Sequence, residues 1–288
     1  MERRNREYLS WIRVAEEALK EGDYGVAAHY FRRVANYFWL IRDKGEFEAF
    51  ARRACECHLR AAEGMWNRGD HLRASSFYGM AAGGFREIGD KTKAESCDQR
   101  VSECYETIVR EGFSSFLGGV KDLRRMGDHF EAEGKQERAA KCYREAAERA
   151  IKEGKLAVAA GLYRDAGECH RLLNDPEGAA KAYEKAADSY FKGERYFEAA
   201  WHYNLAGFLL ISMRRFNEAQ KLAGSAEIAC LEGRVTVLLN HLTRVCEGLS
   251  KGNTLEAQEE WEKIRRKFKA EYATLVDSCF KALQEAHT

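Results

Sequence analysis

Apolar residues recur three and four positions apart along almost the whole chain, and one short pattern is written many times over. An alanine, often doubled, is followed three or four residues later by a large side chain, and about one turn further by a second alanine. One copy reads Ala139-Ala140, Tyr143, Ala146-Ala147; the next Ala159-Ala160, Tyr163, Ala166; a third Ala179-Ala180, Tyr183, Ala186-Ala187. Residues at these spacings share a helix face, so each copy predicts one amphipathic helix carrying a small–large–small stripe. The small side chains let neighbouring helices approach at the close end of the usual range of about 8–10 Å. The last segment, Thr254 to Glu285, has no Gly or Pro, and Trp261, Ile264, Phe268, Tyr272, Leu275, Cys279 and Leu283 step along it by 3 or 4. It predicts one long helix, or two short ones bent near Lys269 to Glu271.

Turn signals divide the stripes. Gly22, Gly45, Gly69, Gly89, Gly112, Gly134, Gly154, Asn174, Gly193 and Gly252 each follow a helical stretch, and glycine or asparagine there accepts the left-handed conformation that ends a helix. The acidic or amide residues just after them (Asp23, Glu46, Asp70, Asp90, Glu194, Asn253) suit the start of the next helix. Pro176 follows Asp175, at a first helical position where its missing N–H is harmless. With further turns near Met213 to Arg215 and at Gly233, about fourteen helices and about seven antiparallel hairpins are expected. One hairpin copied end to end predicts an all-α, right-handed superhelical solenoid, read as a single domain over residues 1–288. The early turn spacings exceed the later ones by two or three residues, so early helices should be longer by roughly 3–5 Å, with a change of twist between the halves. Glu111 to Lys121 lacks the alanine pair and reads as a helix holding Gly118 and Gly119. Each would cost about 1 kcal/mol there, so either another helix packs closely on them, which is the expectation, or the solenoid flexes.

Charge narrows the function classes. Charged residues make up 32% of the 288, yet the formal net charge is +1, which argues against a nucleic acid or an anionic membrane as partner. No run of about eighteen apolar residues predicts a transmembrane helix, and Met1 to Tyr8 lacks the apolar core of a signal peptide, so the expected compartment is the cytoplasm. The nine cysteines show no paired zinc spacing and are expected to be buried thiols. Cys55-Glu-Cys57-His58 comes nearest to a metal motif, but Cys55 and Cys57 would lie about 200° apart on a helix. Five glutamines against abundant Arg and Glu point to a thermophilic source. The eight histidines are scattered, and no zincin, nucleophile-elbow or P-loop motif occurs; Gly112 to Lys121 has the wrong spacing for a phosphate loop. No catalytic residue, cofactor or metal is expected.

Candidate binding residues are cations and one apolar run. Lys263, Arg265, Arg266, Lys267 and Lys269 place five cations in seven residues, a docking patch for an acidic partner. Equally, they sit at the end of a helix opened by Glu256, Glu259, Glu260 and Glu262, where cations suit the dipole and Glu259–Lys263 and Glu262–Arg266 are favourable pairs. The pairs Arg32–Arg33, Arg52–Arg53, Arg124–Arg125 and Arg214–Arg215 would line a concave face, or serve as helix-end charge. Tyr37-Phe-Trp-Leu-Ile41 wraps round its helix; burial between the first two hairpins is expected, with a sticky exposed patch as the alternative. Tyr8 and Trp11 are expected to cover the open end of the stack.

A hairpin here takes about forty residues, against 34 for an ordinary tetratricopeptide repeat. That pitch and the wording of Ala27-Ala-His-Tyr-Phe-Arg-Arg-Val-Ala-Asn-Tyr-Phe38, Phe47-Glu-Ala-Phe-Ala-Arg-Arg-Ala54, Ala179-Ala-Lys-Ala-Tyr-Glu-Lys-Ala-Ala-Asp-Ser-Tyr190 and Ala199-Ala-Trp-His-Tyr-Asn-Leu-Ala206 resemble the soluble NSF attachment protein (SNAP) family. The resemblance covers most of the chain. It implies a curved all-helical sheet whose concave face grips bundled helices, and carboxy-terminal helices that engage a hexameric AAA ATPase. Two features depart from the family. The first turn, Glu21 to Gly25, carries no apolar membrane-touching insertion, and the family's terminal Leu and acidic residues are tied to ATPase stimulation, whereas this chain ends Glu285-Ala-His-Thr288, so that role is not carried over. The expected function is a non-enzymatic protein–protein adaptor or scaffold, binding a helical or extended partner such as a AAA ATPase or a helical-bundle client. The alternatives are a peptide-binding co-chaperone of tetratricopeptide type, for which Asn36 and Asn204 are clamp candidates, and a regulatory sensor domain.

Overall fold

The alanine–tyrosine stripes fold as helices that pack by their small faces. The computed structural model describes residues 2–113 and 116–284, with side chains from Glu7 onward. Every regular element among the described residues is helical: fourteen α-helices and one turn of 3-10 helix. The all-α class and the helix number are therefore as predicted. The chain divides into two compact units, Met1–Phe116 and Leu117–Thr288, and the division falls in the stretch that lacks the alanine pair.

The first unit contains α1 (Glu2–Glu21), α2 (Tyr24–Leu40), α3 (Lys44–Asn67), α4 (His71–Glu87) and α5 (Lys91–Glu111), each packed on the next. Its core has two sides separated by α3. Cys57 packs with Ala15, Ala27, Phe31 and Ala54, whereas Cys55 packs with Ala81, Ala82, Phe85 and Cys97. The two cysteines thus face opposite ways, as their helical spacing requires. Tyr8 stacks on Tyr37 at 4.9 Å, and Arg33 lies 4.2 Å over the Trp11 ring, so both α1 aromatics lie on α2.

The second unit contains α6 (Val120–Ala132), α7 (Gln136–Lys152), α8 (Leu156–Leu172), α9 (Pro176–Lys192), α10 (Tyr196–Ser212), α11 (Phe216–Gly233), α12 (Val237–Ser250), α13 (Thr254–Ile264) and α14 (Ala270–Gln284). Helices α7 to α10 have 17 residues each, as do α2 and α4, so the expected extra length of the early helices is present only in α1, α3 and α5, with 20, 24 and 21 residues. From Ala199 to Ile211 every residue of α10 except Trp201 is buried. A helix apolar on all sides needs neighbours on all sides, and α10 has them in α9, α11, α12 and α14.

Most predicted turns close as expected: Gly22, Gly69, Gly89, Gly112, Gly134, Gly154 and Gly252 have positive φ, and Asn174 has φ 54°. Two differ. Between α2 and α3 the left-handed residue is Arg42 (φ 62°), and Gly45 lies inside the first turn of α3. Between α9 and α10 it is Glu194 (φ 59°), not Gly193. The reversal point follows the end of the buried stripe: Asp43 N–H donates to Phe38 O and Arg195 N–H to Tyr190 O, each at 2.9 Å. That closure holds a non-glycine residue in a conformation costing about 1–2 kcal/mol. The caps shift with it. Asp23, Asp43, Asp70, Asp90 and Asp175 accept from backbone N–H groups three residues on, whereas Glu46 and Glu194 cap nothing and Asn253 makes no side-chain cap bond.

Two further expectations are corrected. Gly118 and Gly119 are not inside a helix; they precede α6, where the Asp122 carboxylate accepts from Gly119 N–H at 3.0 Å. A Cβ at Gly119 would touch nothing, so close packing is not its reason. Ser114 and Ser115 lie outside the described residues. The last segment is two helices, and its break spans the 3-10 turn Arg265–Lys267 and an extended Phe268 (ψ 147°), beginning earlier than Lys269. Glu285 to Thr288 lie outside the described residues.

Candidate functional site

The buried arc of α2 runs through Ala27, Ala28, Phe31, Val34, Ala35 and Phe38. A helix turns about 100° per residue, so apolar residues directly after Phe38 leave that arc. Trp39 is 65% exposed, Leu40 71% and Ile41 55%. The expected burial of Tyr37 to Ile41 between the first hairpins holds for Phe38 and half for Tyr37, and the rest stands in solvent. An isolated exposed apolar residue is ordinary, but three adjacent ones form a patch.

The patch borders a groove of about 630 Å³ where α2 turns into α3, within the usual range of about 300–1,000 Å³ for ligand sites. Trp39, Leu40 and Phe47 supply apolar wall, and Arg42, Lys44, Asp43, Glu48 and Glu87 supply a rim of both signs. Its support is stiff. Phe38 stacks on Phe50 at 5.6 Å and 4°, and Arg53 covers Phe31 at 4.0 Å. Arg32 pairs with Glu87, and Arg52 Nη1 lies 2.9 Å from Asp90 Oδ2. The early arginine pairs are thus engaged within the unit: Arg33 with Trp11, Arg53 with Phe31 and Glu16.

The second unit distributes the remaining predicted cations over separate elements. Arg124 and Arg125 are exposed on α6, and Arg125 pairs with Asp122 at 3.4 Å. Arg214 holds the left-handed turn before α11 (φ 60°), and Arg215 pairs with Glu218 at 2.5 Å and Glu177 at 3.5 Å. Lys263 pairs with Glu260 at 2.5 Å, and Arg265 with Asp277 at 2.7 Å. The expected Glu259–Lys263 and Glu262–Arg266 pairs are not formed. Lys263 pairs instead with Glu260, which also binds His241, and α13 stops at Ile264, taking Arg266 out of helical register. Among the described residues, Arg124, Arg214, Arg266, Lys267 and Lys269 make no ion pair, and no pair links one of these groups to another. Asn36 is exposed on α2, whereas Asn204 is fully buried, donating to Ala200 O and Thr243 Oγ1 at 2.9 Å each. Asn204 is therefore core, not half of a peptide clamp.

Three buried tyrosines of the second unit turn their hydroxyls onto carboxylates of the preceding helix. The Tyr143 hydroxyl donates to Asp128 and Glu131, Tyr183 to Glu168 and Tyr203 to Asp188, at 2.6–2.9 Å. Burial pushes all three phenols upward, helped by the carboxylates beside them. All nine thiols are buried, and burial raises every one, Cys55 to about 11 and Cys104 to about 12. Protonated thiols are poor nucleophiles. Burial lowers His58 and His202 to about 4. Among the described residues no group of three His, Cys, Asp or Glu is placed to hold a metal ion, and no helix is long and apolar enough to cross a membrane.

No protein-family model matches the chain, and no curated protein matches it. Solved structures of similar path include BtubC from P. vanneervenii (19% identity, TM-score 0.38, covering 76% of this chain and 88% of that one). The apo form of RapI is similar at 12% identity and TM-score 0.38, over 98% of this chain and 97% of that one. A signal-transduction ATPase with a tetratricopeptide repeat sensor, from Pyrococcus horikoshii, is similar at 16% identity and TM-score 0.42, over 96% of this chain and 55% of that one.

In the sequence, the mark of this patch is the Tyr37–Ile41 run itself. Five consecutive apolar residues wrap round a helix and are all buried only where neighbours surround it, as they do α10; α2 is covered on one arc, so Trp39, Leu40 and Ile41 are exposed. The place of Arg42 and Phe47 beside them depends on the turn and was not readable.

Proposed function

We propose that this chain is a non-enzymatic scaffold that binds a helical or extended segment of another protein, with the groove beside Trp39, Leu40 and Phe47 as a principal site. The observation that carries the reading is that patch: apolar side chains stand in solvent on a rigid support, next to a groove with charges of both signs. Aromatic anchors set in such surfaces commonly supply most of the binding energy of an interface. Repeated helical hairpins are built to display such surfaces. Within this reading the partner is an attachment-protein client: a helical bundle, or the AAA ATPase that acts on it. That finer assignment rests on the resemblance of the alanine-rich segments to the attachment-protein family. Capture from native extract by the tagged chain, with and without non-hydrolysable ATP, tests it. An ATPase retained in a nucleotide-dependent way, and lost with Trp39→Ala/Leu40→Ala, is the expected result; equal capture by the native chain and the double variant would remove this groove from the mechanism.

A further inference from the structure

The carboxy-terminal helix α14 does not continue the hairpin stack in the manner of the helices before it. It lies against α10 and α12, and its start reaches α8. Its inner stripe is Tyr272, Val276, Cys279 and Leu283, spaced 4, 3 and 4, and the extended Phe268 just before the helix lies on the same side. The Trp201 ring of α10 stacks on Phe268 at 5.7 Å and 7°, and meets Tyr272 edge-on at 5.2 Å. Cys279 Sγ donates to Phe208 O at 3.2 Å. Arg171 of α8 pairs with Glu271 at 3.5 Å.

Two observations set α14 apart. Only Val276, Cys279 and Leu283 of its fifteen residues are buried, against eight of seventeen in α9. And it hangs on a short non-α-helical connection, Arg265 to Lys269, latched through one carboxylate: Asp277 accepts from Trp261 Nε1–H at 2.8 Å and from Arg265 at 2.7 Å. Arg265 is about half exposed, so water competes for that latch. A helix with few buried residues on a short hinge opens at lower free energy than the stack beneath it. What it would uncover is the apolar side of α10, carrying Trp201.

We infer that the face made by α8, α10 and α12 is a helix-binding site that α14 occupies when no partner is present. This rests on the scaffold reading and adds its second surface, its partner chemistry and its regulation. The partner is an amphipathic helix of the kind α14 itself displays. Its first turn carries an aromatic residue to meet Trp201 edge-on, with an acidic residue just before it to meet Arg171; an extended lead-in supplies a second aromatic residue to stack on Trp201, and small or aliphatic residues follow on the next turns. Such a helix displaces α14, and its apparent affinity is reduced by the fraction of chains whose face is covered.

A labelled peptide with the sequence of residues 266–284, titrated into the full chain under reducing conditions and followed by fluorescence anisotropy, tests the inference. Tyr272→Ala loosens the resident helix and leaves the face intact, so it is expected to bind the peptide at least tenfold more tightly than the native chain. Adding Trp201→Ala should abolish that binding. Equal affinity for the native chain and Tyr272→Ala, or binding that survives Trp201→Ala, would overturn the inference. Hydrogen exchange on the native chain keeps it testable should a variant not fold: amides of α14 should exchange at least a hundredfold faster than those of α9, and equal protection would overturn it. Neither readout uses the Trp39 groove. Failure here with capture through Trp39 retained removes only the α14 site, whereas loss of capture removes the scaffold reading itself.

Discussion

The Tyr183 hydroxyl donates to Glu168 Oε1 at 2.6 Å, across the α8–α9 interface and fifteen residues along the chain. The ring lies over Gly167, where an added Cβ would sit 2.6 Å from a ring carbon. The same offset joins Tyr143 to Asp128 over Gly127, and Tyr203 to Asp188. A small residue, then an acid, then a tyrosine on the next helix is thus the joint of the second unit.

That joint predicts opposite effects for two glycines of one helix. Gly167→Ala gains about 1 kcal/mol of helix propensity but must push a buried ring, at about 1–3 kcal/mol, so it should destabilise by up to about 2 kcal/mol. Gly161→Ala meets nothing within 4 Å and should stabilise by about 0.5–1 kcal/mol. Denaturant midpoints of the two variants and the native chain check this; two shifts of the same sign would contradict the packing.

Tyr183→Phe should destabilise by about 1 kcal/mol. The loss stays small because Glu168 keeps Arg171 at 2.9 Å. Urea unfolding should show the loss, and a double variant with Glu168→Gln should show less than the sum of the two single losses.

Acid should weaken the fold before the carboxylates titrate. His202 is buried, with its Nδ1 donating to Glu198 O at 2.7 Å, and its pKa falls to about 4, as does that of His58. The unfolded chain therefore binds protons that the folded chain refuses. Stability from these groups is complete above about pH 6.5 and is lost as pH falls toward 4, by up to about 1.4 kcal/mol per pH unit for each histidine. Unfolding free energies between pH 7 and 5 should show the slope, and His202→Gln should reduce it without abolishing it, since His58 remains.

The thiols should be silent in the native state. All nine cysteines are buried with raised pKa values, so an aromatic disulfide reagent at pH 8 should label almost none quickly and all nine after denaturation. Several fast thiols in the native chain would contradict the packing of the helix seams.

Trp39→Ala and Leu40→Ala should leave stability within about 0.5 kcal/mol, because both side chains are mostly exposed. Partner affinity should nevertheless fall at least tenfold. Thermal unfolding and partner capture measured side by side separate the two effects.

The helices were legible because their cause is local. The Ala139–Ala147, Ala159–Ala166 and Ala179–Ala187 stripes specify period, face and neighbour distance within single turns, and capping aspartates mark where α2, α3, α4, α5 and α9 begin. The candidate site was legible only as a composition. Tyr37 to Ile41 showed that apolar area was available, but its exposure depended on which arc of α2 the neighbouring α1 and α3 cover. The ion pairs of the cations at 263–269 were not legible for a related reason. Their pairing was read along one helix, whereas Arg265 turns to Asp277 of α14 and Lys263 shares Glu260 with His241 of α12.

By itself the sequence determined the all-helical class, the number of helices, the buried thiols and the small–large–small packing, since each follows from residues within one turn of each other. Only the tertiary structure decided that Arg42 and Glu194 take the left-handed turns, that the last segment breaks at Arg265, that Asn204 is core, and that Trp39 and Leu40 stand free. Each of these depends on where a buried stripe meets a neighbouring helix, a contact between parts of the chain that local periodicity does not specify.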